Sequence, residues 1–364
     1  MAGVYVHIPF CKKRCLYCDF FSTTLLERRA EYIAALLEEI RARKHELDDI
    51  RTVYLGGGTP SVLDVADIQQ ILDTIGTERA EEITMELNPG DATPAYLAAI
   101  RAAGINRLSI GVQSLDDRLL QLIGRRHTAA QAIDTVRWAQ TAGFDNISID
   151  LMYALPTQTL DQWKTDIQRA LDLGVQHISS YGLMYEEGTA LTKMRDAGAI
   201  EALDEDTENE MYDVLCEQLK KAGFVHYEVS NFALPGYEAK HNSSYWDGTP
   251  YIGVGAGAHS YLPPVRSWNP DDLDAYINGI MAHNLLRESE TLTEKDRYNE
   301  SIMLGLRTRQ GVNEELTRRY RDVIETSTRF LNDGSLQKTP EGRIAATQKG
   351  LHVLNRIIEA LMIE

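Results

Sequence analysis

Strand-like and helix-like segments alternate over the first half of this chain of 364 residues. Apolar residues at helical spacing predict a helix over 27–47, and a short apolar strand over 52–55 is followed by glycines. The same alternation predicts strands at 83–87, 107–112, 146–151 and 177–183, with helices at 94–103, 129–142 and 160–173. Strands separated by helices pair in parallel through crossover connections. With the apolar run at 4–8 as the first strand, these units predict a partial (β/α)6 barrel rather than a closed barrel of eight units.

The alternation of predicted strands and helices ends after residue 184. Helical spacing over 204–222 places Cys216 on an apolar face, which is typical of a small core residue. A stretch rich in glycine and aromatic residues follows over 227–261. From residue 293, three helical segments and a hairpin at 334–345 predict a small α+β domain that resembles a winged helix. We therefore expect three parts, which are a barrel over 1–185, a barrel-associated extension over 186–290 and a C-terminal domain over 291–364.

Charge and composition disfavour several classes of protein. The chain has 37 basic and 54 acidic residues, and its formal charge of -17 opposes binding to nucleic acid, even through a winged helix. No apolar stretch approaches the roughly 20 residues that cross a bilayer, and the segment before the cysteines is too short for a signal sequence. Clustered cysteines fit a reducing compartment. We expect a cytoplasmic protein without a transmembrane segment.

Cys11, Cys15 and Cys18 stand at the spacing Cys-x-x-x-Cys-x-x-Cys directly after the first predicted strand. Three thiolates can bind three irons of a 4Fe-4S cube and leave the fourth iron open, whereas an electron-transfer cluster takes four cysteines. A structural zinc site is the alternative, but zinc prefers four closed ligands and Cys216 lies far along the chain. An open iron can bind a substrate.

Glycine and polar residues follow the predicted strands, where parallel α/β proteins bind their ligands. Gly57, Gly58 and Thr59 come after the second strand, and glycine lets the backbone approach a ligand closely. Four polar residues lie at or near the later strand ends: Glu86, Gln113, Arg125 and Asp150. Arg125 can offer a bidentate fork to a carboxylate. The alternative for each of the four is a strand-end cap or a surface ion pair.

These motifs resemble those of the radical S-adenosylmethionine superfamily, and YLGGGTPS, ELNPG, RLSIGVQS, DLMYALPTQT and GVGAGAHSY are similar to its HemN and HemW group. The resemblance implies a 4Fe-4S cluster whose open iron binds the amino and carboxylate groups of S-adenosylmethionine, the source of a 5′-deoxyadenosyl radical. It implies cofactor contacts for a set of residues: Tyr5, Tyr17, Gly57, Gly58, Thr59, Glu86, Gln113, Arg125 and Asp150. Tyr17 matches the aromatic residue near the adenine, and Gln113 and Asp150 can hydrogen-bond to ribose hydroxyls.

Two features favour the HemW-type haem chaperones over the coproporphyrinogen dehydrogenases of this group. The dehydrogenases extend the motif to Cys-x-x-x-Cys-x-x-Cys-x-Cys, whereas Phe20 stands at the last position here, and they carry an amino-terminal extension before the motif. The second feature is HNSSYW at 241–246, which matches the HNxxYW signature associated with haem binding. We therefore expect haem as a ligand, a haem-acceptor protein of unknown identity as a partner, and no coproporphyrinogen dehydrogenase activity.

The resemblance implies that His241 binds the haem iron while Tyr245 and Trp246 offer flat apolar surface to the porphyrin. The alternative for His241 is a histidine that is hydrogen-bonded in the core. Two other functions stay open, which are a radical enzyme that oxidises coproporphyrinogen III or another tetrapyrrole, and a structural or regulatory protein whose C-terminal domain binds nucleic acid. An electron donor and a homodimer are also left open.

Overall fold

The computed structural model describes residues 2–47, 49–284 and 287–363. Its strands are β1 (Ala2–Ile8), β2 (Ile50–Gly57), β3 (Glu82–Leu87), β4 (Arg107–Gln113), β5 (Ile147–Tyr153), β6 (His177–Gly182), β7 (Val225–Glu228), β8 (Asn231–Ala233), β9 (Tyr251–Val254), β10 (His259–Leu262), β11 (Val265–Trp268), β12 (Glu288–Thr291), β13 (Val312–Asn313), β14 (Leu336–Lys338) and β15 (Arg343–Ala346). Its α-helices are α1 (Arg29–Ala42), α2 (Val65–Ile75), α3 (Pro94–Ala102), α4 (Asp117–Leu122), α5 (Ala129–Thr141), α6 (Leu160–Asp172), α7 (Ala190–Asp196), α8 (Glu205–Lys221), α9 (Lys240–Asp247), α10 (Leu273–Met281), α11 (Glu294–Gly305), α12 (Glu314–Thr317), α13 (Arg321–Asn332), α14 (Gln348–Leu351) and α15 (Leu354–Leu361).

One sheet of 12 strands forms the centre of the fold, in the order β12-β11-β10-β9-β1-β2-β3-β4-β5-β6-β8-β7. The strands from β1 to β6 are parallel and stand in chain order. β9 adds a further parallel strand beside β1, while β8 pairs antiparallel with β6. Because β1 and β6 have different outer neighbours and do not pair with each other, the barrel stays open.

The predicted partial (β/α)6 barrel is confirmed, with differences at the ends of its elements. β2 is longer than predicted because its ladder with β1 continues from Ile50 to Gly57. α1 is shorter than predicted because 3-10 turns at Leu26–Arg28 and Lys44–Glu46 flank it. Helices α2, α4, α7, α9 and α10 and the parallel strand β9 lie outside the predicted elements.

The barrel helices are defined by their caps and by one apolar face. α5 and α6 each begin with a capping box, formed by Thr128 with Gln131 and by Thr159 with Gln162. On α6, Trp163 and other apolar residues at helical spacing are buried against the sheet. In the part of the chain that the structure describes, no helix is both long and apolar enough to cross a membrane.

A second apolar core lies in the C-terminal region. It combines residues of α11, α13 and α15 with a three-stranded sheet in the order β13-β15-β14. β14 and β15 form the antiparallel hairpin that the sequence predicts. By contrast, α8, β9 and α10 contribute Leu215, Ile252 and Tyr276 to the core of the barrel. Segments from both cores meet around α9, which lies against β2 and α11.

Candidate functional site

The loop after β1 carries the three clustered cysteines at the carboxyl end of the parallel strands. Cys11 is buried, and its Sγ lies 3.3 Å from Thr59 Oγ1 in the loop after β2. Arg125 donates from Nη1 to Cys15 Sγ at 3.3 Å, and the Cys18 amide donates to the Cys15 carbonyl at 3.4 Å. Burial raises the pKa of the Cys11 and Cys18 thiols, so a thiolate at either position needs a positive charge nearby.

A buried carboxylate anchors this loop to its neighbours. Asp91 forms ion pairs with Lys12 at 2.7 Å and with Arg126 at 2.9 Å. Within residues 2–47, 49–284 and 287–363, no group of three or more His, Cys, Asp or Glu side chains is arranged to hold a metal ion. The structure thus brings the three cysteines onto one anchored loop, and the iron-sulfur cluster stays a prediction.

The turn after β2 packs directly on the cysteine loop. Gly57 has a φ of +111°, a backbone conformation that favours glycine. A Cβ at Gly57 would lie 2.6 Å from the His7 ring, and a Cβ at Gly58 would lie 2.8 Å from the Pro9 backbone and 3.0 Å from Cys11 Sγ. Gly58 is therefore needed for the close contact between the two loops, and Gly57 is needed for the contact with the His7 ring on β1.

Two carboxyl groups lie inside the barrel near the strand ends. Glu86 accepts hydrogen bonds from the Tyr54 hydroxyl at 2.8 Å and from the Gly57 amide at 3.2 Å, and desolvation together with the charge of Asp150 raises its pKa to about 7. Asp150 accepts from the Ser109 hydroxyl at 3.1 Å, and desolvation raises its pKa to about 6. Neither carboxylate has an ion pair among the described residues, so this region favours a positively charged ligand.

β4 ends in a strained backbone next to an incompletely bonded arginine. Gln113 has a φ of +67°, and the pairing of β4 with β5 shifts register between Gly111 and Gln113. Arg125 donates from Nη2 to the Gly111 carbonyl at 2.6 Å, but its buried Nε has no partner in the described part of the chain. Burial lowers the pKa of Arg125, whereas the neighbouring Tyr17 and Cys15 raise it, and the net shift is upward. An unpaired buried N–H is costly and is consistent with an acceptor that the polypeptide does not itself supply.

The two predicted tyrosines occupy different parts of this edge. The Tyr5 hydroxyl lies 3.0 Å from His7 Nδ1, and its ring stacks on Tyr54 with centroids 6.2 Å apart. Tyr17 is half-buried against a small apolar cluster that includes Leu119. The structure therefore places all the predicted S-adenosylmethionine residues within β1 to β5 or in the segments that follow these strands.

α9 carries the 241–246 motif and is fixed to the barrel at its first turn. Glu82 of β3 accepts hydrogen bonds from the Lys240 and His241 amides, each at 2.9 Å. A carboxylate at this position satisfies free backbone donors and complements the helix dipole. The helix ends at Gly248, which has a φ of +75°.

The His241 side chain is fully buried, and both of its ring nitrogens are hydrogen-bonded. Nδ1 lies 2.9 Å from Thr52 Oγ1, and Nε2 lies 2.9 Å from the Tyr245 hydroxyl. The ring stacks on Tyr54 with centroids 5.3 Å apart, and burial lowers its pKa to about 3, so the imidazole is neutral at neutral pH. The structure places His241 as a hydrogen-bonded core histidine, which is the alternative for this residue, and does not expose Nε2 to a ligand.

Tyr245 and Trp246 line a cavity of about 980 Å³ between α9 and the C-terminal region. This volume is at the upper end of the range of ligand pockets, about 300–1,000 Å³. The Arg309 amide donates to the Tyr227 carbonyl at 3.1 Å and fixes one wall against the other. His241 is not part of the wall, but Tyr245 both lines the cavity and bonds to Nε2 of His241.

Comparison with known proteins assigns the family. The Radical SAM superfamily profile matches residues 5–170. The chain is 37% identical to Heme chaperone HemW of Lactococcus lactis, over 100% of this chain and 97% of that protein. It is 31% identical to Radical S-adenosyl methionine domain-containing protein 1, mitochondrial, of Danio rerio, over 100% of this chain and 87% of that protein. The chain belongs to the HemW family.

The fold of this HemW family member is also similar to a solved enzyme structure. Coproporphyrinogen III oxidase (HemN) from Escherichia coli superposes with a TM-score of 0.84, over 99% of this chain and 89% of that chain. The sequence identity is 22%, so this similarity concerns the fold alone. The family predicted from the motifs and the fold class predicted from the strand pattern are both confirmed.

The candidate site includes residues that the sequence patterns do not single out. Thr52 and Tyr54 stand two residues apart on β2 and therefore face the same side of the sheet. Polar side chains at alternate positions of an otherwise apolar strand are a signal that could have found them. Glu82 contacts His241, which lies 159 residues further along the chain, and the sequence carries no local signal for this contact.

Proposed function

We propose that this protein is a haem chaperone that binds haem beside α9 and passes it to an acceptor protein in the cytoplasm. The observation that carries the proposal is the full-length similarity to proteins named Heme chaperone HemW. The position of the motif supports it, because α9 sets Tyr245 and Trp246 on the wall of a large cavity. Aromatic side chains of this kind offer flat apolar surface to a porphyrin.

We also propose that the cysteine loop holds a 4Fe-4S cluster with S-adenosylmethionine at its open iron. The donor set fits, since three cysteines on one loop supply the soft thiolates that iron-sulfur clusters use. The Nε of Arg125, which has no hydrogen-bond partner in the described part of the chain, fits a carboxylate. The carboxyl groups of Glu86 and Asp150, which have hydrogen bonds but no ion pair among the described residues, fit the cationic groups of the cofactor. When bound, the cluster and S-adenosylmethionine supply radical chemistry, and the chain's residues hold and orient them.

For the haem iron, we propose that His241 binds through Nε2 after the Tyr245 hydroxyl leaves it. A neutral imidazole is a good axial ligand, and the low pKa of His241 keeps it neutral. Because Tyr245 bonds to Nε2 and also lines the cavity, movement of this one side chain would connect the cavity with the nitrogen. Thr52 would keep its hydrogen bond to Nδ1 and so orient the ring.

Haem titration of the anaerobically reconstituted protein, followed by the Soret band, tests this proposal. We expect His241→Leu to bind haem about tenfold more weakly or worse and to shift the band, because an iron bond is lost. Tyr245→Phe removes the hydroxyl that occupies Nε2 and keeps the ring, so its affinity should equal or exceed that of the wild type. His45→Leu is the matched control, because His45 is an exposed histidine outside α9.

Two results would contradict the proposal. Wild-type affinity and an unchanged Soret band in His241→Leu would remove His241 from the iron. Absence of haem binding by the wild type, together with conversion of coproporphyrinogen III to protoporphyrinogen IX, would favour the dehydrogenase function. Melting curves of each variant separate loss of the ligand from loss of the fold, since leucine at 241 leaves the Thr52 hydroxyl without this partner.

A further inference from the structure

The cavity beside α9 combines aromatic surface with several arginines. Its walls come from α9 and β9 to β11 on one side and from α11 and the segment before β13 on the other. Tyr245, Trp246 and Tyr251 supply flat apolar surface, and Met303 supplies an adaptable apolar side chain. Four guanidinium groups also line the cavity, those of Arg266, Arg297, Arg309 and Arg343.

Two of these arginines already have partners inside the protein. Arg266 forms an ion pair with Glu300 at 2.7 Å. Arg343 donates from Nε to the Gln310 carbonyl at 3.0 Å and from Nη2 to the Gly311 carbonyl at 2.7 Å. These contacts hold the two side chains in place and use some of their five N–H donors, so both arginines contribute to the construction of the wall.

Arg297 and Arg309 differ from them. Both side chains are exposed, and neither has a side-chain hydrogen bond or an ion pair with any residue that the structure describes. Glu341 lies near enough for the charge of Arg309 to lower its pKa, but it is not within ion-pair distance. Of the four arginines that line this cavity, these are the two whose side chains have no partner among the described residues.

Four acidic residues also line the cavity, and each has a partner within the protein: Glu300 pairs with Arg266, and Glu228 accepts a hydrogen bond from the Ser230 amide at 3.2 Å. Glu238 accepts a hydrogen bond from the Gly236 amide at 2.9 Å, and Asp247 accepts from the Thr249 amide at 2.9 Å. The guanidinium groups of Arg297 and Arg309 are therefore the part of the wall best suited to an external anion. Arginine binds carboxylates through paired, charge-assisted hydrogen bonds.

We propose that Arg297 and Arg309 bind the propionate carboxylates of haem in this cavity, an inference that rests on the proposed haem-binding function. A haem ligand has a flat apolar ring and two carboxylates, and the cavity offers aromatic surface from α9 and free guanidinium groups from the C-terminal region. The C-terminal region thus supplies the charge that selects the carboxylate form of the tetrapyrrole. These two arginines thus recognise the propionate side chains of haem, and this interaction is separate from the bond between the protein and the haem iron.

Titrations with haem and with haem dimethyl ester, whose propionates are uncharged, test the inference. The affinity of the wild type for haem should be at least about tenfold higher than its affinity for the ester. The double variant Arg297→Gln, Arg309→Gln should lose this preference by binding haem more weakly while keeping the wild-type affinity for the ester. Arg318→Gln is the control, because Arg318 lies in the same region, pairs with Glu314 and does not line the cavity.

The outcomes separate this inference from the proposed function. If the wild type binds haem and the double variant keeps both the affinity and the preference over the ester, the two arginines do not bind propionates. Equal weakening of haem and ester in the double variant would also overturn the inference, because it would indicate a general change of the cavity. If the wild type binds neither ligand, the proposed function fails, and this inference fails with it.

Discussion

At Asp150 the barrel holds a carboxyl group largely away from bulk water. Ser109 donates to it, and Arg107 and Arg125 are near enough to lower its pKa, but desolvation outweighs them and raises the pKa from 3.8 to about 6. The folded protein therefore binds this proton more tightly than the unfolded chain does. As the pH rises through the interval between these two values, the free energy of unfolding falls, and it stays lower above pH 6.

Asp150→Asn should remove this fall in the free energy of unfolding, because the side-chain amide cannot release a proton and can still accept a hydrogen bond from Ser109. We expect the variant to match the wild type at low pH and to exceed its free energy of unfolding above pH 6, by roughly 2–3 kcal/mol. Urea unfolding between pH 4 and pH 8 without added cofactor measures the difference. The exposed Asp161→Asn is the control. A constant difference between Asp150→Asn and the wild type over this range would refute the expected titration.

Single residues show what the sequence can and cannot predict about the site. The strand-end pattern predicts Glu86 and Asp150 as candidate ligand-binding residues, because a polar side chain on an otherwise apolar strand is costly to bury unless a partner or a ligand meets it. The pattern does not predict the partners of His241. Thr52 lies 189 residues earlier in the chain, and only the packing of α9 on β2 brings the two side chains together. The motif predicts His241 as a ligand of the haem iron, and the fold determines that its ring is buried in the core.

At the scale of elements, the apolar runs predict the parallel strands well because both faces of such strands are buried. The short strand β9 is different. It has four residues, includes Gly253 and lies in a stretch whose glycine content favours turns. A Cβ at Gly253 would clash with the backbone of His259 at the start of β10. The glycine is therefore needed for the contact between β9 and β10 rather than for the conformation of β9 itself. This requirement comes from a tertiary contact and has no signature in local spacing.

The close contact between the turn after β2 and the cysteine loop can be tested by substitution. In Gly58→Ala, the added Cβ would lie 2.8 Å from the Pro9 backbone and 3.0 Å from Cys11 Sγ, so one of the two loops must move. We expect a loss of about 1–3 kcal/mol in the free energy of unfolding and less than half of the wild-type iron and sulfide after anaerobic reconstitution. In the control Gly90→Ala, the Cβ meets nothing closer than 3.5 Å. A full complement of iron in Gly58→Ala would show that this contact does not position the cysteine loop.

The whole molecule places the 980 Å³ cavity between segments that are distant in sequence and belong to different cores. α9 is fixed to the barrel through Glu82, whereas α11 packs in the C-terminal core through Tyr298 and Ile302. The sequence predicts helical segments from residue 293, which include α11, but it predicts no helix at α9, and the space between the two helices depends on how the two cores meet. The cavity could therefore not be predicted from the motif, although two of its aromatic residues could.

This arrangement predicts that haem links the two cores. A ligand that contacts both walls should slow amide hydrogen exchange in α9 and in α11 together, by up to about a hundredfold when the free haem concentration is a hundred times the dissociation constant. α13 contributes no residue to the cavity and is the internal control. Exchange measured by mass spectrometry with and without haem provides the comparison, and Trp246→Ala should reduce the effect in both helices because it weakens binding. Protection of only one helix, or equal protection of α13, would mean that haem does not bridge the cavity.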